Sequence, residues 1–288
     1  MIAVLSDIHG NLHALDAVIN DMPDISRIWL LGDMIGGLSY PGEVLDRIMD
    51  FEKPVRSVSG NHENYISELK RDEHPDWRLG TQFATIVWTA DNLKRRHFDY
   101  LEKLKISTGT DDVPGGALLF HGSPADVKKS MFEYGEVEKA VAGRPEKFYA
   151  GGHTHKAKMY RVNGSIYLNP GSVGIALDGI GGVAEYALID ENIKTPYINI
   201  MFRRVAYDIE AAVGAMIKND FLEIAPGITR AIISEMRTGR FYVMSLLEFV
   251  NGYTIKQIGY SPGSIPAEIW REAEKMWDGS EWTPGRMR

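Results

Sequence analysis

Apolar residues in the first two hundred positions follow two rhythms. Short unbroken runs at Ile2–Ser6, Ile28-Trp29-Leu30-Leu31, Val55–Val58, Ala117–Phe120 and Phe148-Tyr149-Ala150 read as buried strands. Between the early runs, apolar positions recur at helical spacing. Leu12, Leu15, Val18 and Ile19 follow Asn11, a residue suited to cap a helix, and Val44, Leu45 and Ile48 follow Pro41, suited to a first helical turn. Strand, helix, strand, helix, strand predicts a layered α/β fold whose first sheet is largely parallel.

The character changes over residues 63–105. Phe83, Ile86, Val87 and Ala90 predict one amphipathic helix and Phe98–Leu104 a second, a helical insertion between strands. Further on, Met159–Val162 and Ser165–Leu168 flank Asn163-Gly164, the signature of a hairpin with a two-residue turn. Gly182–Asp190 and Tyr197–Val205 read as another antiparallel pair. From Asp208 to about Gly239 the pattern is helical, Phe241–Tyr260 shows no clear period, and Ala267–Trp277 predicts a short helix before a loose tail at Ser280–Arg288. The expected organisation is a core, 1–205, with a mostly helical C-terminal extension, 206–288, packed on it.

The polar residues sharpen this picture. Each strand-like run ends in metal-ligand chemistry: Asp7-Ile8-His9, Gly32-Asp33, Gly60-Asn61-His62-Glu63, His121-Gly122 and Gly152-His153-Thr154-His155. Ligands of open α/β sheets collect at the carboxyl ends of strands. Five of the eight histidines lie in these segments; His74 and His97 fall in the helical insertion, where a solvated surface is expected, and His13 falls on the first helix. Carboxylates, an amide and imidazoles suit Mn, Fe, Zn, Co or Ni better than Mg or Ca. The donors are too many for one ion, so two are expected, with Asp33 as the bridge because a carboxylate has two oxygens. Asp7 and Asp33 against two divalent ions leave a net charge of about +2, falling to +1 with a bound hydroxide, a pocket that attracts phosphate.

Composition trims the alternatives. With 288 residues, 44% hydrophobic and 25% charged, the chain can bury an ordinary core, and the absence of cysteine excludes disulfides, thiolate metal sites and thiol nucleophiles. No apolar run approaches the roughly 18–20 residues of a membrane span, and the N-terminus reads directly as a strand, so the expected location is cytoplasmic. A net charge of −7 disfavours a stable nucleic-acid complex.

Together the five blocks resemble the calcineurin-like metallophosphoesterase superfamily. Ser6-Asp7-Ile8-His9-Gly10-Asn11, His121-Gly122-Ser123-Pro124 and Asn169-Pro170-Gly171-Ser172-Val173-Gly174 look like its small prokaryotic phosphodiesterase-type branch. The resemblance implies a four-layer αββα sandwich of two mixed sheets flanked by helices. It implies one metal held by Asp7, His9, Asp33 and His155, a second by Asp33, Asn61, His121 and His153, and His62 outside the metal shell as the acid that protonates the leaving group. The implied activity is hydrolysis of P–O bonds, phosphodiesters first, by in-line attack of a metal-bound hydroxide on a small, nucleotide-like substrate. Dinucleoside polyphosphates and monoesters rank next, and a silent metal-binding scaffold is the rival of a different class. No arginine follows Gly32-Asp33 or Asn61-His62 closely, as it does in the superfamily's phosphoprotein phosphatases, which weakens a phosphoprotein phosphatase reading and favours diesters or phosphoanhydrides.

Overall fold

The structure, a computed structural model, describes residues 1–78, 82–190 and 199–281. The chain begins β1 (Ile2–Leu5), α1 (Leu12–Asp21), β2 (Arg27–Leu30), α2 (Pro41–Met49) and β3 (Val55–Ser57), the alternation expected from the sequence. Helices α3 (Asn61–Lys70), α4 (Ala84–Asp91) and α5 (Arg95–Leu101) follow, with a 3₁₀ turn at Pro75–Arg78. Next come β4 (Ser107–Thr110), β5 (Ala117–Phe120), α6 (Tyr134–Val141), β6 (Phe148–Ala150), β7 (Lys158–Val162), β8 (Ser165–Asn169), β9 (Val183–Asp190) and β10 (Asn199–Ala206). The chain closes in helices α7 (Ile209–Lys218), α8 (Phe221–Ile224), α9 (Pro226–Thr238), α10 (Val243–Ile258) and α11 (Ala267–Met276).

Two five-stranded sheets form, ordered β10-β9-β1-β2-β3 and β4-β5-β6-β8-β7. In the first, β1, β2 and β3 pair parallel, while β9 pairs antiparallel with both β1 and β10, so the sheet is mixed, with one strand running against the other four. Alternation along β1 shows how the layers stack. Ile2 and Val4 point into the space between the sheets, against Leu119, Phe148, Ala150 and Leu168, whereas Ala3 and Leu5 point to α1 and α2. The far face of the second sheet, with Phe120, Tyr149 and Tyr167, is covered by Val137 and Val141 of α6. The result is the four-layer sandwich. Asn11 caps α1 by accepting from the Ala14 N–H at 3.1 Å, and Pro41 opens α2.

Three expectations change. Strand β4 was hidden because Ser-Thr-Gly-Thr carries no apolar run; it is an edge strand paired antiparallel to β5. Helix α10 occupies the stretch without a clear period. Its buried stripe, Leu246, Val250 and Thr254, is regular, but exposed Met244, Phe249, Ile255 and Ile258 on the other faces blur it. His97 is fully buried, not solvated: its Nε2 meets Asp46 Oδ1 at 2.8 Å and Nδ1 accepts the Lys94 N–H, pinning α5 to α2. His74 instead stacks on Trp77 at 4.2 Å. Residues 197–198 of the expected last strand and 282–288 of the expected tail lie outside the described residues.

Helices α7 to α11 gather Phe221, Ile228, Ile232, Leu246 and Trp270 into one apolar cluster. The same cluster takes in Leu38, Ile175 and Leu177 from loops beside the strand ends, so these helices stand over the carboxyl edge of the sheets. None of the helices among the described residues is long and apolar enough to cross a membrane.

Candidate metal centre

The parallel strands β1, β2 and β3 deliver Asp7, His9, Asp33 and Asn61 to one edge of the first sheet. Strands β5 and β6 deliver His121, His153 and His155 to the adjoining edge of the second. The loops are zipped together by backbone bonds: Asp7 N–H to Gly32 O, His9 N–H to Asp33 O, and Gly152 N–H to His121 O, all between 2.8 and 3.1 Å. The Asn169–Gly174 turn packs directly on Asp7, whose carbonyl accepts from Ser172 Oγ at 2.7 Å and from the Gly174 N–H at 2.9 Å. Packing this close leaves no room for side chains at the crossings. A Cβ at Gly152 would overlap Ser6 Oγ and crowd Asp7, and one at Gly60 would overlap Asp33 Oδ1.

The backbone at the site is strained. Asp7, His9, Asp33, His153 and His155 all hold φ between +50° and +67°, a left-handed conformation uncommon outside glycine. They make up five of the eight non-glycine residues with positive φ among the described residues. Strain of this kind concentrates at functional sites and costs on the order of 1–3 kcal/mol per residue.

The seven expected ligands converge. Donor atoms of Asp7, His9 and His155 lie within 4.8 Å of one another, as do those of Asp33, His121 and His153 and those of His9, Asp33 and His62, so His62 stands as close to the cluster as the expected ligands do. Asn61 Oδ1 sits 3.2 Å from His121 Nε2, beside the second group. Asp33 Oδ2 faces both groups, 3.9 Å from His9 Nε2 and 3.3 Å from His121 Nε2. Its Oδ1 is occupied by the His62 N–H at 2.9 Å, so a single oxygen is left to face the centre, not the two foreseen from the sequence.

The imidazoles are oriented by backbone carbonyls. Nδ1 of His9 lies 2.9 Å from Gly36 O, Nδ1 of His121 2.7 Å from Leu31 O, and Nδ1 of His155 2.8 Å from Ile175 O. A carbonyl only accepts, so these partners place the proton on Nδ1 and turn each Nε2 lone pair inward. The Nε2 atoms of His9 and His155 are 3.0 Å apart, and Asp7 Oδ1 is buried with no hydrogen-bond partner. Facing lone pairs beside an orphaned carboxylate oxygen require a cation or a proton between them. This donor set therefore fits transition-metal ions.

Charge at the cluster is tightly linked. Burial pushes Asp7 up, but His155 and His121 outweigh it and hold the carboxyl at about 2. Burial opposes charge on His121 as well, yet Asp33 and Asp7 raise it to about 10. His155 is raised by Asp7 against its burial, whereas burial takes His9 down to about 3 and His153 to about 4.

Glu63, whose place after Asn61-His62 in the sequence gives no hint of a task, ties the site together. Its buried carboxylate accepts four backbone N–H groups, from Asp33, Met34, Ile35 and Gly60, at 2.7–3.3 Å, fixing the β2 and β3 loops to each other. Glu63→Gln puts an amide N–H₂ against some of these donors and is expected to cost about 3 kcal/mol of unfolding free energy, read from the midpoint of a denaturant melt. An unshifted midpoint contradicts the clamp.

Near the site, cationic side chains are engaged elsewhere: Arg203 is bound to Asp21, and Arg204 to Glu185 and Asp178. Lys128 lies over the Tyr65 ring and Lys156 over Phe241. His13 packs edge-on against Tyr40. The cluster opens into a cavity of about 430 Å³ bounded also by α4, α9 and α10.

Residues 1–193 match the model of the calcineurin-like phosphoesterase superfamily domain. The chain belongs to that superfamily. An uncharacterized protein of Methanocaldococcus jannaschii, MJ0912, is 32% identical over 238 residues, 76% of this chain and 93% of that protein. A metallophosphoesterase crystal structure from Sphaerobacter thermophilus superposes with a TM-score of 0.64 at 26% identity, covering 82% of this chain and 98% of the other. The hypothetical protein PH1004 of Pyrococcus horikoshii OT3 shares the fold, with a TM-score of 0.67 at 20% identity over 83% and 99% of the two chains. As a calcineurin-like phosphoesterase, the chain carries its His and Asp clusters where the strands of both sheets end.

Proposed function

We propose that this calcineurin-like phosphoesterase hydrolyses phosphodiesters at a centre of two transition-metal ions, manganese being the first to test. The supporting observation is the inward set of Nε2 and carboxylate oxygens, with its carbonyl-held imidazoles and orphaned Asp7 Oδ1. Asp7, His9, Asp33 and His155 would hold one ion, and Asp33, Asn61, His121 and His153 the other. When bound, such a pair polarises a phosphoryl oxygen and lowers the pKa of water from 15.7 towards about 7.

The chain's own residues supply the rest. Asn61 and His62 stand in the first turn of α3, where the helix end favours an anion. His62 Nε2 is turned to the centre, 3.8 Å from Asp33 Oδ2, while Nδ1 is buried against Gly36 without a partner. In the reaction, oxygen from water joins phosphorus and the ester P–O bond breaks; the departing alkoxide takes a proton from the His62 imidazolium at Nε2, and the proton shed by the attacking water restores that imidazolium. No arginine or lysine lines the cavity among the described residues, which favours the single charge of a diester over the double charge of a monoester.

Chelation and add-back on a 4-nitrophenyl phosphodiester tests the reading. Manganese-dependent turnover is expected, and none above background overturns it in favour of a metal-binding scaffold.

Metal uptake itself has a sign. His121, raised to about 10, holds its proton at neutral pH when no cation is present, His155 is raised in the same direction by Asp7, and a ligand must be neutral. Binding is therefore expected to release about one proton or more at pH 7 and to weaken as pH falls. Calorimetric titrations in buffers of different ionisation enthalpy read this directly. Saturating manganese should also raise Tm by about 5 °C or more, because the ions bind the folded state alone. Buffer-independent heats and an unchanged Tm count against the centre.

A further inference from the structure

Beyond the metal-ligand residues and His62, most of the cavity wall is hydrocarbon. Phe83, just before α4, and Ile86 of α4 form one side and Phe132 closes the next; Ile232 of α9, Phe241 of the turn between α9 and α10, and Leu247 of α10 form the opposite side. The carboxylate of Glu235 sets this arrangement, since its Oε1 accepts the N–H groups of both Tyr242 and Val243 and so fixes the turn from α9 into α10. Polar side chains on the wall, Tyr65, Gln82, Thr85, Ser130, Thr154 and Glu235, are the minority, and half are already engaged: Gln82 Oε1 accepts the Ile265 N–H at 3.1 Å, Thr154 Oγ1 accepts from Asn169 Nδ2 at 3.1 Å, and Glu235 Oε1 accepts its two backbone N–H groups. A base and ribose entering this space would bring more donors and acceptors than the remaining polar side chains can partner, which is costly. A hydrocarbon group loses nothing there and gains burial. About 430 Å³ is within the usual size of a small-molecule site.

We propose that the substrate is the phosphoester of an apolar alcohol, its hydrocarbon chain filling the space under α4, α9 and α10 while its phosphate meets the metal centre. This rests on the phosphoesterase reading and names the substrate class within it. The C-terminal helices thereby become a specificity wall, and a nucleotide becomes the disfavoured alternative.

The test uses three 4-nitrophenyl phosphodiesters with one leaving group and different second esters: methyl, octyl and a nucleoside. On the manganese-loaded full chain, kcat/KM for the octyl ester is expected to exceed that for the methyl ester by at least about tenfold, since two buried methylenes suffice for that factor. It should exceed the nucleoside ester too. In parallel, calorimetry measures Kd for octylphosphonate and methylphosphonate, with the same ordering expected. Met244 and Leu247 reach the cavity from partly exposed positions. The pair of changes Met244→Gln and Leu247→Gln should collapse the octyl-to-methyl ratio towards one in protein with a native circular-dichroism melt.

Turnover of all esters without chain-length discrimination, or preference for the nucleoside ester, overturns the hydrocarbon assignment and leaves the phosphoesterase reading standing. Tenfold tighter octylphosphonate binding with no turnover of any ester does the reverse.

Discussion

Asp33→Asn is expected to weaken both cations together, by at least about 100-fold in affinity, and to abolish metal-dependent turnover with them. Asp33 Oδ2 is the oxygen turned to both ligand groups, and Oδ1 is held by the His62 N–H. An asparagine at this position has two poor choices. If its oxygen stays on the His62 N–H, an N–H₂ group points at the cations; if it flips, two N–H groups collide. It also removes one of the two negative charges contributed by Asp7 and Asp33. Even partners that only orient a ligand cost about 10–100-fold when lost, so an inner carboxylate sets the higher bound. Equilibrium dialysis followed by elemental analysis gives the stoichiometry. One ion retained at wild-type affinity would falsify the shared role.

His62→Ala should look quite different. Both ions stay bound, because His62 contributes its backbone N–H to Asp33 and that bond survives the substitution. The rate falls by about 10²–10⁴-fold, the usual worth of a general acid. The loss should depend on the leaving group. Esters of alkyl alcohols, whose alkoxide needs the proton, suffer most, and 4-nitrophenyl esters, whose leaving group departs unprotonated, suffer least. Metal loss in the variant, or an equal loss for both leaving groups, takes the proton away from His62.

Much of the site was legible because its chemistry is local in sequence. A strand that ends in Asp-x-His or Gly-His-x-His declares both the element and the donor, and parallel strands then bring such ends together whatever lies between. Asp7, His9, Asp33, Asn61, His121, His153 and His155 converge for that reason. Glu63 was opaque because its task is toward backbone amides, and amides carry no residue identity. The left-handed φ values of Asp7 and His9 were equally hidden, since neither residue advertises that conformation as glycine does. His97 misled because a helical insertion usually faces water, and only Asp46, far away in sequence, explains its burial. Helix α10 was blurred by exposed apolar residues such as Phe249, which the period of a one-sided helix does not anticipate.

The two ligand groups draw on both sheets, Asp7, His9, Asp33 and Asn61 from one and His121, His153 and His155 from the other, whereas the cavity wall over them comes from α4, α9 and α10. Scissors and handle are thus separate pieces of one tool. Exchanges at Phe83, Phe241 or Leu247 are therefore expected to retune what the handle grips without dulling the blade, because none of them belongs to a ligand loop.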